Sequence, residues 1–554
     1  MDRRTLLALL LTAIVIVATP FIFPAPRRVM DTTVAMDSAL PTAPTQAQVT
    51  QAPATVAPAP AAVAPAPIAV PVAPIDTVTV ATNRATYHFE GPGATPSSVT
   101  LRDYRSLRRG GSGPVELVPA GDRLFRLHVV RGTDTLPLDA TRFRAEPQRR
   151  EGDVIVQSFA SVGGGLAAPV TVTYRFPVDS FAMHVEGTVG GTAAPGRLFV
   201  TLPTRISSEE ADVSEDTRQL AMGYKRGNDE PQSLRFDDLD SLEARVDTGA
   251  IRWVIERNKY FAIALIPASD SAFRAVSFRG GSRADGLAVA ASGTAVLPFD
   301  GQHFALRVYA GPQSWQALKA TAPDLENLNP YGGWIHGMVQ PFTTIVMRAL
   351  LWMRHTFDVG YGWVLVIFGV LVRLLLWPLN QNAMRSSIKM QRIQPQLMEL
   401  QKKHADNPER QREAMLKLYQ EHGMSPFTPV LGCLPMLLPM PILFALYFVF
   451  QNTIELRGVS FLWLPDLSLR DPFFITPIFM GVSMFVLSWI GMRGVPPSPQ
   501  AKMMTYMMPV VFTVIFWNFA SGLNLYYAVQ NVAALPQQWL LANERVKAKP
   551  KPAG

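Results

Sequence analysis

One arginine stands alone in an apolar run. Leu365 to Leu379 reads LVIFGVLVRLLLWPL, and Arg373 is its only charged residue. A guanidinium near the middle of a membrane helix costs roughly 2.5–3.5 kcal/mol on insertion scales, so it must face water, a partner or the interior of a bundle. Arg373 lies six residues before Leu379, about 9 Å along a helix at ~1.5 Å per residue. From that depth its long side chain can also snorkel to headgroups, and position alone leaves both readings open. The later apolar runs carry their own polar residues: Thr476, Ser483, Thr513, Asn518, Asn524, Tyr526, Tyr527, Gln530 and Asn531. Such groups usually pair across helices; the alternative for a subset of them is to line a hydrated cavity. Methionine crowds the same region, with Met436, Met440, Met480, Met484, Met503, Met504, Met507 and Met508. Met is unbranched and adaptable, and a flexible apolar surface beside a polar cavity suits variable helical clients.

Other chemistries find less support. Cys433 is the single cysteine, so no intrachain disulfide or Cys/His metal cluster is possible. Val430-Leu431-Gly432-Cys433 has the look of a lipoprotein processing site, but it lies far from the N-terminus inside an apolar run. Glu209, Glu210 and Asp212 cluster in an expected loop without the paired carboxylates and supporting His that a carbohydrate enzyme needs. A secondary transporter binding an anionic solute at Arg373 is a third class. Transporters are built from repeats with broken helices in both halves, and no such repeat is visible.

The elements that position these residues follow from composition. The 554 residues are 48% hydrophobic and only 17% charged, where soluble chains average roughly 25% charged. The net charge of +8 fits the positive-inside bias of a membrane protein and contact with anionic lipid better than it fits DNA binding. Arg3 and Arg4 precede an apolar run, so residues 1–23 read as an uncleaved signal anchor rather than a cleaved signal peptide. Residues 24–74 are an Ala/Pro-rich spacer. Residues 75–325 carry short alternating segments broken by Gly, Pro, Asp and Asn, which predict an antiparallel β-sandwich. Val78 to Ala81, Val170 to Phe176, Phe181 to Val189, Trp253 to Ile266 and Phe304 to Tyr309 are its clearest strands. Residues 326–358 contain an amphipathic helix; an interfacial position and a place in the core of the preceding domain are the alternatives. Residues 359–541 hold five further apolar runs: Tyr361 to Leu379, Val430 to Phe450, Phe473 to Met492, Met503 to Phe519 and Gly522 to Leu541. With the anchor they make a bundle of six spans.

Arg385, Lys389, Arg392, Lys402, Lys403, Arg410, Arg412 and Lys417 lie in segment 380–428, and Arg545, Lys547, Lys549 and Lys551 lie at the C-terminus. Both regions are expected in the cytoplasm, which leaves the sandwich outside. Within 380–428, Ile393, Leu397 and Leu400 form one apolar stripe and Met415, Leu416 and Tyr419 another, as in an antiparallel helical hairpin. Residues 542–554 are a basic tail.

Val372-Arg373 through Trp377-Pro378-Leu379, Gly432-Cys433-Leu434-Pro435, Met440-Pro441-Ile442, Phe444-Ala445-Leu446-Tyr447, Asp471-Pro472 and Ser521-Gly522-Leu523-Asn524-Leu525-Tyr526-Tyr527 occur in order. Together they resemble the YidC insertase family, in the Gram-negative form with a large periplasmic domain. The resemblance implies a membrane protein insertase and chaperone that needs no nucleotide or other cofactor. It implies five core helices around a hydrophilic groove open to the cytoplasm, with Arg373 as its positive residue and Asn524, Tyr526, Tyr527 and Gln530 as polar lining. Client helices would slide along spans three and five, past Met436, Met440, Met504 and Met508. The implied partners are nascent membrane proteins, the Sec translocon, the ribosome at the cytoplasmic loops, and lipids. The implied location is the inner membrane, with both termini cytoplasmic.

Overall fold

The computed structural model describes residues 77–547 other than 163–167, 192–194, 269–270, 329–335, 379, 382–392, 394–395, 398, 401–402, 404–406, 422–439, 495–500 and 501. The expected anchor (1–23), the spacer (24–74), Cys433, Met436 and the tail beyond 547 lie outside the described residues.

Residues Val78 to Pro312 build antiparallel sheets: one of four strands in sequence order (Val78–Ala81, Ala85–Phe89, Ser98–Arg105, Pro114–Glu116), one of 15 strands, and one of two short strands (Arg283–Ala284, Leu287–Ala288). Strict alternation drives them. In Val170–Pro177, Val170, Val172, Tyr174 and Phe176 turn inward, because successive side chains of a strand point to opposite faces. The expected single strand from Trp253 to Ile266 is instead two paired strands, Arg245–Arg257 and Phe261–Pro267. The cause is Asn258: its Oδ1 accepts the amides of Tyr260 at 3.0 Å and Phe261 at 2.8 Å, and its Nδ2 donates to Asp216 at 3.2 Å. A buried Asx turn of this kind offers the backbone a partner outside the ladder. A short helix, α1 (Val213–Arg218), follows the Glu209–Asp212 loop. A second, α2 (Trp315–Thr321), puts Leu318 on the outer sheet face with Trp253, Ile255, Ala264 and Ile266.

Helices follow. α3 (His336–Phe357) buries Val339, Val346, Leu350 and Met353 while Ile345 and Trp352 stay exposed. The chain then turns at Asp358, whose φ is +48°, and α4 (Tyr361–Leu375) leaves at 117° to α3. α5 (Pro408–Glu421) packs Leu418 and Tyr419 against Ile393 and Leu397; the partner stripe includes Leu418 where Leu416 was expected. α6 (Met440–Asn452) and α7 (Ile475–Gly491) come next. A π-helical turn (Met503–Met507) enters α8 (Met508–Ile515), with the Met508 amide bonded to the Met503 carbonyl. Pro509 follows at once and has no amide to keep the α-helical ladder in register. The last helix, α9 (Ser521–Lys547), is 27 residues long.

Among the described residues no single helix is both long and apolar enough to cross a membrane. α9 has the length, but polar stripes lower its hydropathy, and α8 is interrupted by its change of helix type. Directions are nonetheless readable from contacts. Gly369 of α4 and Trp377 just past its end meet Gln530 and Gln537 of α9, and Met480 and Gly491 of α7 meet Asn531 and Arg545. So α4, α7 and α9 run parallel. α8 runs the other way along α7, pairing Phe474 with Trp517 and Phe485 with Tyr506.

Segment 453–474, between α6 and α7, ties the sandwich to the helices. Ile454 is buried within the sandwich core. Arg457 Nε meets Glu210 Oε1 at 2.8 Å, both side chains being almost fully enclosed (3% and 6% exposed). Its other nitrogens donate to the carbonyls of Arg105 and Glu209 at 3.0 and 3.3 Å, and its guanidinium lies 5.2 Å from the Phe261 ring centre. The same segment receives the N-terminus of α9: the Ser521 and Gly522 amides donate to Leu469 and Leu467 at 2.7 and 2.9 Å.

Candidate functional site

Arg373 sits on α4 one turn after Gly369 and one before Trp377, so the three share a face. That face meets α9. Arg373 Nη2 donates to Gln537 Oε1 at 2.9 Å, and Gln537 Nε2 donates in turn to the Trp377 carbonyl at 2.9 Å. Gln530 Nε2 donates to the Gly369 carbonyl at 2.9 Å and to the Tyr526 hydroxyl at 2.8 Å. The close approach depends on Gly369, since a Cβ there would stand 3.0 Å from Val529 Cγ1. Tyr526 is buried between the rings of Phe368 and Phe450.

The seam leaves Arg373 incompletely satisfied. Its Nε is enclosed without a hydrogen-bond partner, and no ion pair of Arg373 occurs among the described residues. An unpaired buried donor costs free energy, and the guanidinium is a planar fork suited to carboxylates. A cation held by a neutral amide keeps its charge available for an anionic group.

The expected polar set divides between two faces of α9. Tyr526 and Gln530 lie on the face turned to α4, as does Gln537, the partner of Arg373. Asn524 and Tyr527 lie on the opposite stripe with Asn531, Gln538 and Arg545, at steps of three, four, seven and seven residues. There Asn524 Nδ2 donates to the Phe516 carbonyl at 3.1 Å, closing the end of α8, and the Tyr527 ring packs edge-on against Phe516. Asn531 Nδ2 reaches Ser483 Oγ at 3.1 Å, and Arg545 Nη1 donates to the Gly491 carbonyl at the end of α7. Gln537 was missed from sequence, although it stands seven residues after Gln530 on the same helical face. Among the methionines, Met508 is half-buried at the start of α8; for Met440 and Met504 only the backbone is described.

Residues 77–345 match the family described as the YidC periplasmic domain, and residues 352–549 match the 60Kd inner membrane protein family. The membrane protein insertase YidC of Burkholderia ambifaria is 32% identical over 425 residues, which cover 74% of each chain. This chain belongs to the YidC membrane protein insertase family. The YidC of Prosthecochloris aestuarii is 31% identical over 398 residues, covering 67% of this chain and 66% of that one. A solved structure of an active YidC insertase aligns over 84% of this chain and 94% of its own, at 19% identity and a TM-score of 0.33. The two matched YidC-family regions correspond to the sandwich with its following helix and to the helices that carry the Arg373 seam.

Proposed function

We propose that this chain inserts nascent membrane proteins and helps them fold, using the α4–α9 seam as the polar wall of a groove open to the cytoplasm. The carrying observation is Arg373, a cation within an apolar helix that is bonded to a neutral amide and to no carboxylate among the described residues. A client's acidic extracytoplasmic segment pairs transiently with Arg373. Its apolar helix meanwhile slides past Met440, Met504, Met508 and Met436 into lipid. The gain over bare bilayer is electrostatic: a polar wall lowers the cost of moving charged residues through hydrocarbon. No nucleotide or cofactor takes part.

Six spans with both ends in the cytoplasm agree with the helix directions. Spans two, four and six must run alike and span five must oppose them, as α4, α7, α9 and α8 do. The 117° turn before α4 supports α3 lying along the membrane surface, where its exposed Ile345 and Trp352 meet lipid. Positive loops at 380–428 and after 541 support a cytoplasmic face on which the α5 hairpin receives clients and the ribosome docks. The sandwich is then periplasmic, and the chain works alone or beside the Sec translocon.

The test is reconstitution into liposomes with single-span clients that differ in the charge of their translocated segment. Arg373→Ala lowers insertion of acidic clients at least several-fold, and Arg373→Lys largely preserves it. Normal insertion of acidic clients by Arg373→Ala would overturn the charge mechanism.

A further inference from the structure

The sandwich carries a cavity of about 250 Å³ beside its joint with the helices. Its lining includes the exposed Arg108 and Arg205, the half-buried Ser207 and Ser208, and the buried Asp216 as its floor. Both arginines are exposed, and neither guanidinium has an ion-pair or hydrogen-bond partner among the described residues. The floor carboxylate is already occupied: Asp216 accepts from Asn258 Nδ2 at 3.2 Å and from the Lys259 amide at 3.0 Å. Ile206 and Leu220 supply an apolar wall. The volume corresponds to roughly eight waters at about 30 Å³ each, room for a phosphate with its glycerol but not for acyl chains.

Position in the fold narrows the ligand. The loops that line the cavity are the loops that grip the helical core. Arg105 and Glu209 offer their carbonyls to Arg457, and Glu210 its carboxylate; Arg108 and Ser208 are their close neighbours in the chain. Segment 453–474 exposes the apolar residues Leu462, Trp463 and Phe473, and Trp is a type enriched at a bilayer's interfacial level. We propose that this cavity binds the phosphate headgroup of an anionic phospholipid in the outer leaflet, fastening the sandwich to the membrane beside the core. The two free guanidiniums hold the phosphate oxygens, the Ser207 hydroxyl adds a hydrogen bond, and the acyl chains stay in the bilayer. The inference rests on α6 and α7 being membrane spans, and not on the role of Arg373.

The full chain in detergent is titrated with dihexanoyl phosphatidylglycerol, dihexanoyl phosphatidylcholine and inorganic phosphate. Wild type binds the phosphatidylglycerol at least tenfold more tightly than the other two. Arg108→Ala with Arg205→Ala loses that preference, and Asp216→Asn strengthens binding. Both arginines are exposed, so the double variant folds, which its unchanged thermal midpoint checks. Equal binding of the two lipids, full retention by the double variant, or equal binding of inorganic phosphate, which marks a free-phosphate site, each overturns the proposal. Insertion of acidic clients by the double variant is measured in parallel: a loss there with intact lipid selectivity also counts against the lipid site, since it marks the arginines as client contacts.

Discussion

Arg373 is held by an amide rather than by a carboxylate, and this decides what it can still bind. Gln537→Glu places an anion 2.9 Å from Nη2 and neutralises the guanidinium internally. We expect it to depress insertion of acidic clients as strongly as Arg373→Ala, while it also removes the donor to the Trp377 carbonyl. Gln537→Leu instead leaves a buried donor and the Trp377 carbonyl without this partner. It costs about 1–3 kcal/mol of stability and spares part of the insertion activity. If insertion by Gln537→Glu is unaffected, the open charge of Arg373 is not what clients use. In the sandwich, burial pushes Glu210 up to about 7 in spite of the Arg457 guanidinium beside it. Burial, with the Asp122 charge adding to it, pushes Glu256 well above the ordinary carboxylate range. The folded chain keeps protons there that the unfolded chain gives up near 4.5. Their contribution is therefore full below about 4.5 and is lost as pH rises, for Glu210 through about 7. Thermal unfolding at pH 5.5 and 8.5 should show Glu256→Gln losing less stability than wild type over that rise. An equal loss in both chains would contradict the assignment.

The element scale explains why the seam is narrow. α4 and α9 approach closely at Gly369, and Gly369→Val places methyl groups where Val529 and Tyr526 already stand. Overpacking of this kind costs about 1–3 kcal/mol and parts Gln530 from the Gly369 carbonyl. The expected readouts are a lower thermal midpoint in detergent and faster amide exchange in α9, strongest around Gln530. The turn at Asn258 is an element boundary set by one side chain. Asn258→Ala removes the one oxygen that accepts two amides and a donor to Asp216, for a loss of about 2–3 kcal/mol at about 1 kcal/mol per bond. Its length and apolar character make Trp253 to Ile266 read as one strand, because periodicity is blind to a side chain that bonds forward along the backbone. The hairpin stripe, by contrast, was legible except for Leu418, which stands where Leu416 was expected. Ile393, Leu397 and Tyr419 pack together because helical spacing alone puts them on facing surfaces.

At the scale of the whole molecule, Arg457 carries the joint between sandwich and helices. Arg457→Ala leaves Glu210 enclosed without its cation and costs about 3 kcal/mol or more. Glu210→Gln keeps the Oε1 acceptor, removes a charge whose burial is unfavourable, and costs much less. Exchange in segment 453–474 should rise in the first variant and barely change in the second; the reverse order would place the strength of the joint elsewhere. Topology is tested by cysteine labelling after replacing Cys433. Cysteines at Asp358 and Arg470 should react with an impermeant reagent from outside, and those at Glu421 and Arg493 only after the membrane is opened.

The sequence by itself determined the division into a sandwich and a helical region, the isolation of Arg373 in an apolar run, and the family. These rest on local periodicity, composition and ordered motifs, which need no knowledge of neighbours. Tertiary structure alone decided which polar residues face Arg373. Tyr526 and Tyr527 are adjacent in the chain, yet a step of about 100° on a helix of 3.6 residues per turn sends one to α4 and the other to α8. It also decided that Glu210, one acid in an apparent loop, is the buried partner of an arginine 247 residues away. No periodicity encodes a contact of that separation; only packing of the sandwich against segment 453–474 brings the two charges together and takes them out of water.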